Sequence, residues 1–238
     1  MNVQLEAAWQ AVIHHPLFGV AITLAAFQLS YAAYEKTRWV FLQPVLVSML
    51  MVVGVLLACG LGYEDYRLSA QMLTVMLGPA TVALAVPLYL NLRRIRELFG
   101  PIMITLLVGG ITATALGMAL AWAFGADRMV LMTLAPKSVT SPIAMLVAEQ
   151  IGGVVALAAV FVMITGILGA IFGPELLRRF GVQHPAARGM ALGLTAHAVG
   201  TAQALQESEE CGAFAALAMS LMGVLTAVLL PLAVSLSL

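Results

Sequence analysis

Leu134-Ala-Pro-Lys-Ser-Val-Thr-Ser-Pro-Ile-Ala-Met145 sets two prolines, a lysine and three hydroxyls inside a run that is apolar on both sides. The surroundings make the interruption costly. Of 238 residues 62% are hydrophobic and only 9% charged, with a mean hydropathy of +1.03, whereas soluble domains carry about 25% charged residues. The composition is that of an integral membrane protein. Proline removes a backbone donor and disfavours helix at the residue before it. Backbone freed in this way at membrane depth must be buried in protein or line a wet cavity. The stretch therefore reads as a break in a membrane segment, placed at a polar cavity.

A bilayer crossing takes about 20 apolar residues, and the candidates are 16–34, 38–61, 68–90, 101–124, 129–151, 154–173, 190–206 and 212–236. Short connections join them, so 1–238 reads as a single membrane domain. No Lys or Arg precedes the first segment, which argues against a signal peptide. Asn91–Phe99 and Pro174–Phe180 read as interfacial helices with snorkelling arginines. If all eight segments cross, the basic residues divide evenly between the two sides. If 129–151 enters and returns on one side, Lys36, Arg38, Arg93, Arg94, Arg96, Arg178, Arg179 and Arg188 share a face, leaving Arg67 and Arg128 on the other. Cytoplasmic faces carry the excess of Lys and Arg, so the second arrangement is preferred. The expectation is an all-α polytopic membrane protein of about seven crossing helices, with a re-entrant or broken segment at 129–151. Its interrupted helices meet near the midplane.

Few polar residues remain to carry chemistry. Lys137 is a cation inside an apolar run, which costs about 2.5–3.5 kcal/mol on insertion scales. It is either a snorkelling or glutamate-paired structural residue or a charge facing an anion. Ser138, Thr140 and Ser141 can donate to a carboxylate or satisfy the open backbone, and N–H groups at a half-helix start attract anions. Gly189, Gly193, His197 and Thr201 recur every four residues along one helix face, where the glycines permit close packing. His197 fits a packing role, a substrate contact or a proton relay. Pro79, Pro136 and Pro142 mark helix breaks, and Gly152, Gly153 and Gly200 allow packing or movement. Leu77-Gly-Pro-Ala-Thr-Val82 shares a pattern with Leu134-Ala-Pro-Lys-Ser-Val139, as interrupted segments of two transporter halves do; unrelated kinks would look the same. Glu207, Glu209 and Glu210 close a segment and read as solvated. Zero net charge provides no basic face for nucleic acid. Cys59 and Cys211 make no disulfide framework, no metal-ligand spacing exists, and enzyme signatures are absent. No cofactor and no enzymatic activity are expected.

The stretch 134–145, Gly166–Pro174, Ala187-Arg-Gly189, Thr195–Thr201, Gly212-Ala-Phe214 and Pro79–Tyr89 together resemble the LrgB/CidB family over nearly the whole chain. The resemblance implies a multi-pass protein of the bacterial inner membrane, described for the family as holin- or antiholin-like and tied to murein hydrolase export and lysis. It also implies a small LrgA/CidA-type membrane partner. Plant plastid relatives exchange glycolate for glycerate, and some bacterial relatives are linked to pyruvate uptake. The expected function is thus secondary transport of small monocarboxylates, with the holin-like role as alternative. Lipid, the carboxylate and a second copy of the chain are the other expected partners. Lys137, Ser138, Thr140, Ser141, His197 and Thr201 are the expected substrate contacts. Where the family often places a basic residue after Gly200-Thr201-Ala202, this chain has Gln203, and Gln206 replaces a glutamate.

Overall fold

The structure, a computed structural model, describes residues 3–37, 39 and 42–236; Arg38, counted above, lies outside them. Regular structure among the described residues is helical throughout. Four helices are long and apolar enough to cross a bilayer: Gln71–Leu90, Phe99–Ala123, Val155–Arg179 and Glu209–Leu236. Two bent pairs pass the same test when each is taken together, Glu6–Ile13 with Phe18–Thr37 and Pro44–Cys59 with Tyr63–Ser69. The protein is a multi-pass membrane protein.

Contacts divide the chain into two compact units, Met1–Ala83 and Leu84–Leu238. The first holds α1 (Val3–Ile13), α2 (Phe18–Thr37), α3 (Pro44–Cys59), α4 (Tyr63–Ser69) and α5 (Gln71–Ala83). Gln43 caps α3 by accepting from the Leu46 N–H at 2.8 Å, and Pro44 follows where its missing donor costs nothing. Gly60, at φ +67°, ends that helix in the left-handed conformation that suits glycine. Pro79 does not break a helix as expected. It sits inside α5, which stays helical to Ala83.

The second unit begins with three short helices, α6 (Ala85–Leu90), α7 (Leu92–Glu97) and α8 (Phe99–Ile104). A π-helical turn, Thr105–Gly109, joins α8 to α9 (Gly110–Ala123), so that Phe99–Ala123 forms one span. After it come α10 (Arg128–Leu134), α11 (Ser141–Gln150), α12 (Val155–Arg179), α13 (Pro185–Glu207) and α14 (Glu209–Leu236). Asp127 caps α10 through the Val130 N–H at 2.8 Å. The basic stretch 174–180 is no separate interfacial helix, because α12 runs through Pro174 to Arg179.

Segment 129–151 is a hairpin. Its chain leaves α10, loses helical structure over 135–140, and returns through α11. The return is fixed by Thr133, whose hydroxyl oxygen accepts the Val154 N–H at 2.8 Å, and by Gly153, packed on the Thr133 backbone.

Segment 190–206, expected to cross, also doubles back. Within α13 His197 stands at φ 41°, ψ −127°, far from helical values. Arg188 donates through Nε and Nη2 to both carboxylate oxygens of Glu207 at 2.7 and 2.8 Å. Those residues are 19 positions apart, which a straight helix would separate by about 28 Å, well beyond the reach of two side chains. The Leu192 carbonyl likewise lies against Gly200. Residues 185–196 and 198–207 are the two legs of a second hairpin, with His197 at its tip. Glu207, read as solvated, closes the base of that hairpin.

The hairpins enter from opposite faces. Arg94 donates to His184 Nε2 at 3.1 Å and lies 3.7 Å from Glu210. The starts of the 99–123 span, of α13 and of α14 therefore share one face. Gly166, Gly169 and Gly173 of α12 meet His197, Ala196 and Leu192 in turn, so α12 runs antiparallel to the first leg and ends on that same face. The hairpin of α10 and α11 lies between the far end of the 99–123 span and the start of α12, on the opposite face. Arg93, Arg94, Arg96, Arg178, Arg179 and Arg188 gather on the first face and Arg128 on the second. The arginine asymmetry follows from two hairpins of opposite entry.

Candidate functional site

Two helices act as rulers for the hairpin tips. On the 99–123 span, Gly109 packs against Leu194 of the second hairpin, while the Ala113 carbonyl accepts from Lys137 Nζ at 2.8 Å. On α14, Met219 Sδ lies 3.8 Å from the Thr201 hydroxyl, and Gly223 packs against Ile143 of α11. Each ruler separates the tips by four residues, about 6 Å along a helix. Lys137 meets its span about 15 Å from the Ala123 end and about 21 Å from the Phe99 end, close to mid-depth. The tips of two opposed hairpins thus converge near the midplane.

The tip of the first hairpin carries Pro136, Lys137, Ser138, Val139 and Thr140. Pro136 lies in the non-helical stretch, and Pro142 occupies the first turn of α11, where its lack of a donor is harmless. Val139 is fully buried and packs in the core of Leu106, Val162, Met190, Leu194, Phe214 and Met222, which pins the loop from below. Lys137 itself is half-buried. One of its three N–H bonds goes to Ala113; no carboxylate lies within ion-pair distance of it among the described residues. Thr140 precedes α11 without capping it, so that helix start keeps unpaired N–H groups. The hydroxyls of Ser138, Thr140 and Ser141 form no hydrogen bond among the described residues.

The tip of the second hairpin is more fully bonded. His197 is buried, and its Nε2 lies 3.0 Å from the Val162 carbonyl. A carbonyl only accepts, so Nε2 holds the hydrogen there. Thr201 donates its hydroxyl to the His197 carbonyl at 2.9 Å, which leaves it an acceptor role toward any ligand. A second leg of ten residues, 198–207, starts at this tip. Gly189 and Gly193 bring the first leg onto the backbone of Cys211 and Ala215 in α14, and Gly200 brings the second leg onto the Leu192 carbonyl. Gly152, at φ +82°, turns the chain out of α11. Gln203 is buried.

The Ala113 and Val162 carbonyls and Gly117 escaped the sequence reading, and Gly166 entered it only as the start of the Gly166–Pro174 stretch, with no role assigned. Main-chain acceptors leave no trace in side-chain chemistry. Glycines in mid-span were the signal available. No group of His, Cys, Asp and Glu among the described residues could hold a metal ion, and Cys59 and Cys211 are both free.

A profile of the LrgB-like family matches residues 23–236. The chain belongs to the LrgB family. It is 36% identical over 215 residues to the uncharacterized protein YxaC of Bacillus subtilis, covering 90% of this chain and 94% of that protein. It is also 36% identical over 205 residues to YwbG of the same organism, covering 86% and 91%. The antiholin-like protein LrgB of Bacillus cereus is 30% identical over 218 residues, covering 91% and 95%. No solved structure matches the chain. The match covers nearly the full length of each of these relatives.

Proposed function

We propose that this LrgB-family protein is a secondary transporter of small monocarboxylates such as glycolate, glycerate or pyruvate. It would work in the inner membrane with its arginine-rich face in the cytoplasm. The observation that carries the reading is the convergence of two opposed hairpin tips near mid-depth around Lys137. Broken helices meeting at the midplane are where secondary transporters bind substrate, with half-helix N-termini turned toward anionic groups. Here α11 and the leg 198–207 both begin at the tips, and Lys137 retains two N–H bonds beyond the one given to Ala113. A carboxylate leaving water needs such compensation, because an unpaired buried ion is costly. Ser138, Thr140 and Ser141 are then free to bond the carboxylate and an adjacent hydroxyl or carbonyl oxygen. Opposed hairpins provide one barrier toward each face, as alternating access requires.

The Bacillus cereus relatives are named antiholin-like, which favours a second reading, an antiholin-like role; the family resemblance would attach to it the regulation of murein hydrolase export with a small LrgA/CidA-type companion. Uptake of labelled glycolate and pyruvate into liposomes holding the purified protein separates the two. The transporter saturates with substrate concentration. A pore passes solute in linear proportion, and a regulator without transport activity passes none; either result removes the transport reading.

A further inference from the structure

Each hairpin tip carries one side chain whose N–H is given to a main-chain carbonyl of the long helix that precedes it in sequence. Lys137 reaches Ala113 of α9, 24 residues back, at 2.8 Å. His197 reaches Val162 of α12, 35 residues back, at 3.0 Å. Inside an α-helix the carbonyl of residue i already accepts the N–H of residue i+4, and the side chain at i+4 stands beside that bond. A second donor approaching from the side needs that position open. Four residues after Ala113 is Gly117, and four residues after Val162 is Gly166. A Cβ on Gly117 would lie 2.9 Å from Lys137 Cε and Nζ; one on Gly166 would lie 2.7 Å from His197 Cε1 and 2.8 Å from Nε2. The same device thus occurs twice, on hairpins that enter from opposite faces. Span, hairpin tip, carbonyl and glycine correspond element by element, as in an inverted repeat.

We propose that Lys137 and His197 are equivalent latches, each holding its own hairpin shut against its own span, and that a small organic anion arriving between the tips is the key. The anion competes with the Ala113 and Val162 carbonyls for the N–H bonds, so its arrival loosens the contact that keeps a hairpin in place. The α10–α11 hairpin then opens toward the face of Arg128, and the α13 hairpin toward the arginine-rich face. The identity of the key rests on the transport reading above; the latches do not.

The test uses the full-length protein in right-side-out and inverted vesicles, with Cys59 and Cys211 replaced by alanine. Ser138→Cys and Thr201→Cys serve as buried reporters for a membrane-impermeant maleimide. Gly117→Ala, which crowds Lys137 off its carbonyl, should speed labelling of Ser138→Cys from the Arg128 face only. Gly166→Ala should speed labelling of Thr201→Cys from the arginine-rich face only. Loss of one net hydrogen bond corresponds to roughly a two- to tenfold increase in rate. Lys137→Met and His197→Leu remove the donors without crowding and should give the same sided increases, which guards against a glycine variant that does not fold. Unchanged rates, or increases from both faces together, overturn the latches. Glycolate at saturating concentration should also speed labelling of the two reporters with their latches intact; if the variants show sided labelling and glycolate changes nothing, the anion as key is overturned while the latches stand.

Discussion

Reversing the Arg188–Glu207 pair tests directly whether α13 folds back. The two side chains meet through two charge-assisted hydrogen bonds at 2.7 and 2.8 Å, with only 17% and 22% of their side-chain surface exposed. Hydrogen bonds to charged groups contribute about 1.5–3 kcal/mol each, and partial exposure to water screens the pair, so a coupling of about 2 kcal/mol is a reasonable expectation. For a protein of 150–250 residues each kcal/mol moves Tm by about 2–4 °C. Arg188→Glu or Glu207→Arg alone should therefore lower Tm in detergent by about 4–8 °C, and more where the like charges repel. The exchanged double variant, with both substitutions, should recover most of that loss. Thermal denaturation of the four proteins, followed by the loss of monodisperse material, gives the coupling from the cycle. In a straight crossing helix the two positions would be about 28 Å apart, and no recovery could occur. Additive losses in the double variant would refute the hairpin.

Three further outcomes follow from the same geometry. Cysteines placed at Arg93 and Arg178 should react with an impermeant reagent from the same side of the membrane; labelling from opposite sides would break the arrangement of faces. Gly193→Leu should destabilise the protein by several kcal/mol or prevent insertion, because the Ala215 backbone occupies the space. The same change at the exposed Thr195 on that leg should be tolerated in the bilayer, and equal effects at both would count against the packing described. His197 sits at a positive φ that glycine adopts without strain. His197→Gly should accordingly be more stable than His197→Ala by about 1 kcal/mol, although both lose the bond to Val162, and a more stable alanine variant would contradict the strained backbone.

Much of this was legible in the sequence because its signals are local. Two prolines around Lys137, set against apolar flanks, were enough to identify the break, and the arginine distribution pointed to a return at 129–151. The second hairpin was not legible. A four-residue spacing of Gly189, Gly193, His197 and Thr201 is what a continuous helix produces, and the residue that ends the helix is a histidine, with no proline or glycine to mark the turn. The evidence for the turn is the Arg188–Glu207 contact, a long-range pairing that no window of sequence contains. Pro79 misled in the opposite direction, since a proline in a helix can be accommodated without a break. At the candidate site the polar side chains of the first tip could be read directly. The acceptors that hold Lys137 and His197 are main-chain atoms, present at every residue and therefore silent in composition.

The central claim is that Lys137, on the tip of the first hairpin, recognises the carboxylate of a transported anion. Its most direct test is the uptake of labelled glycolate and pyruvate into liposomes by the parent protein, Lys137→Arg and Lys137→Met, each first shown to be folded and inserted. The account predicts saturable uptake by the parent and partial uptake with Lys137→Arg, which keeps the charge but changes its reach and geometry. It predicts no saturable uptake with Lys137→Met, in a protein whose Tm stays within a few degrees of the parent because an insertion cost is relieved as the bond to Ala113 is lost. Normal saturable uptake by a well-folded Lys137→Met protein would contradict it.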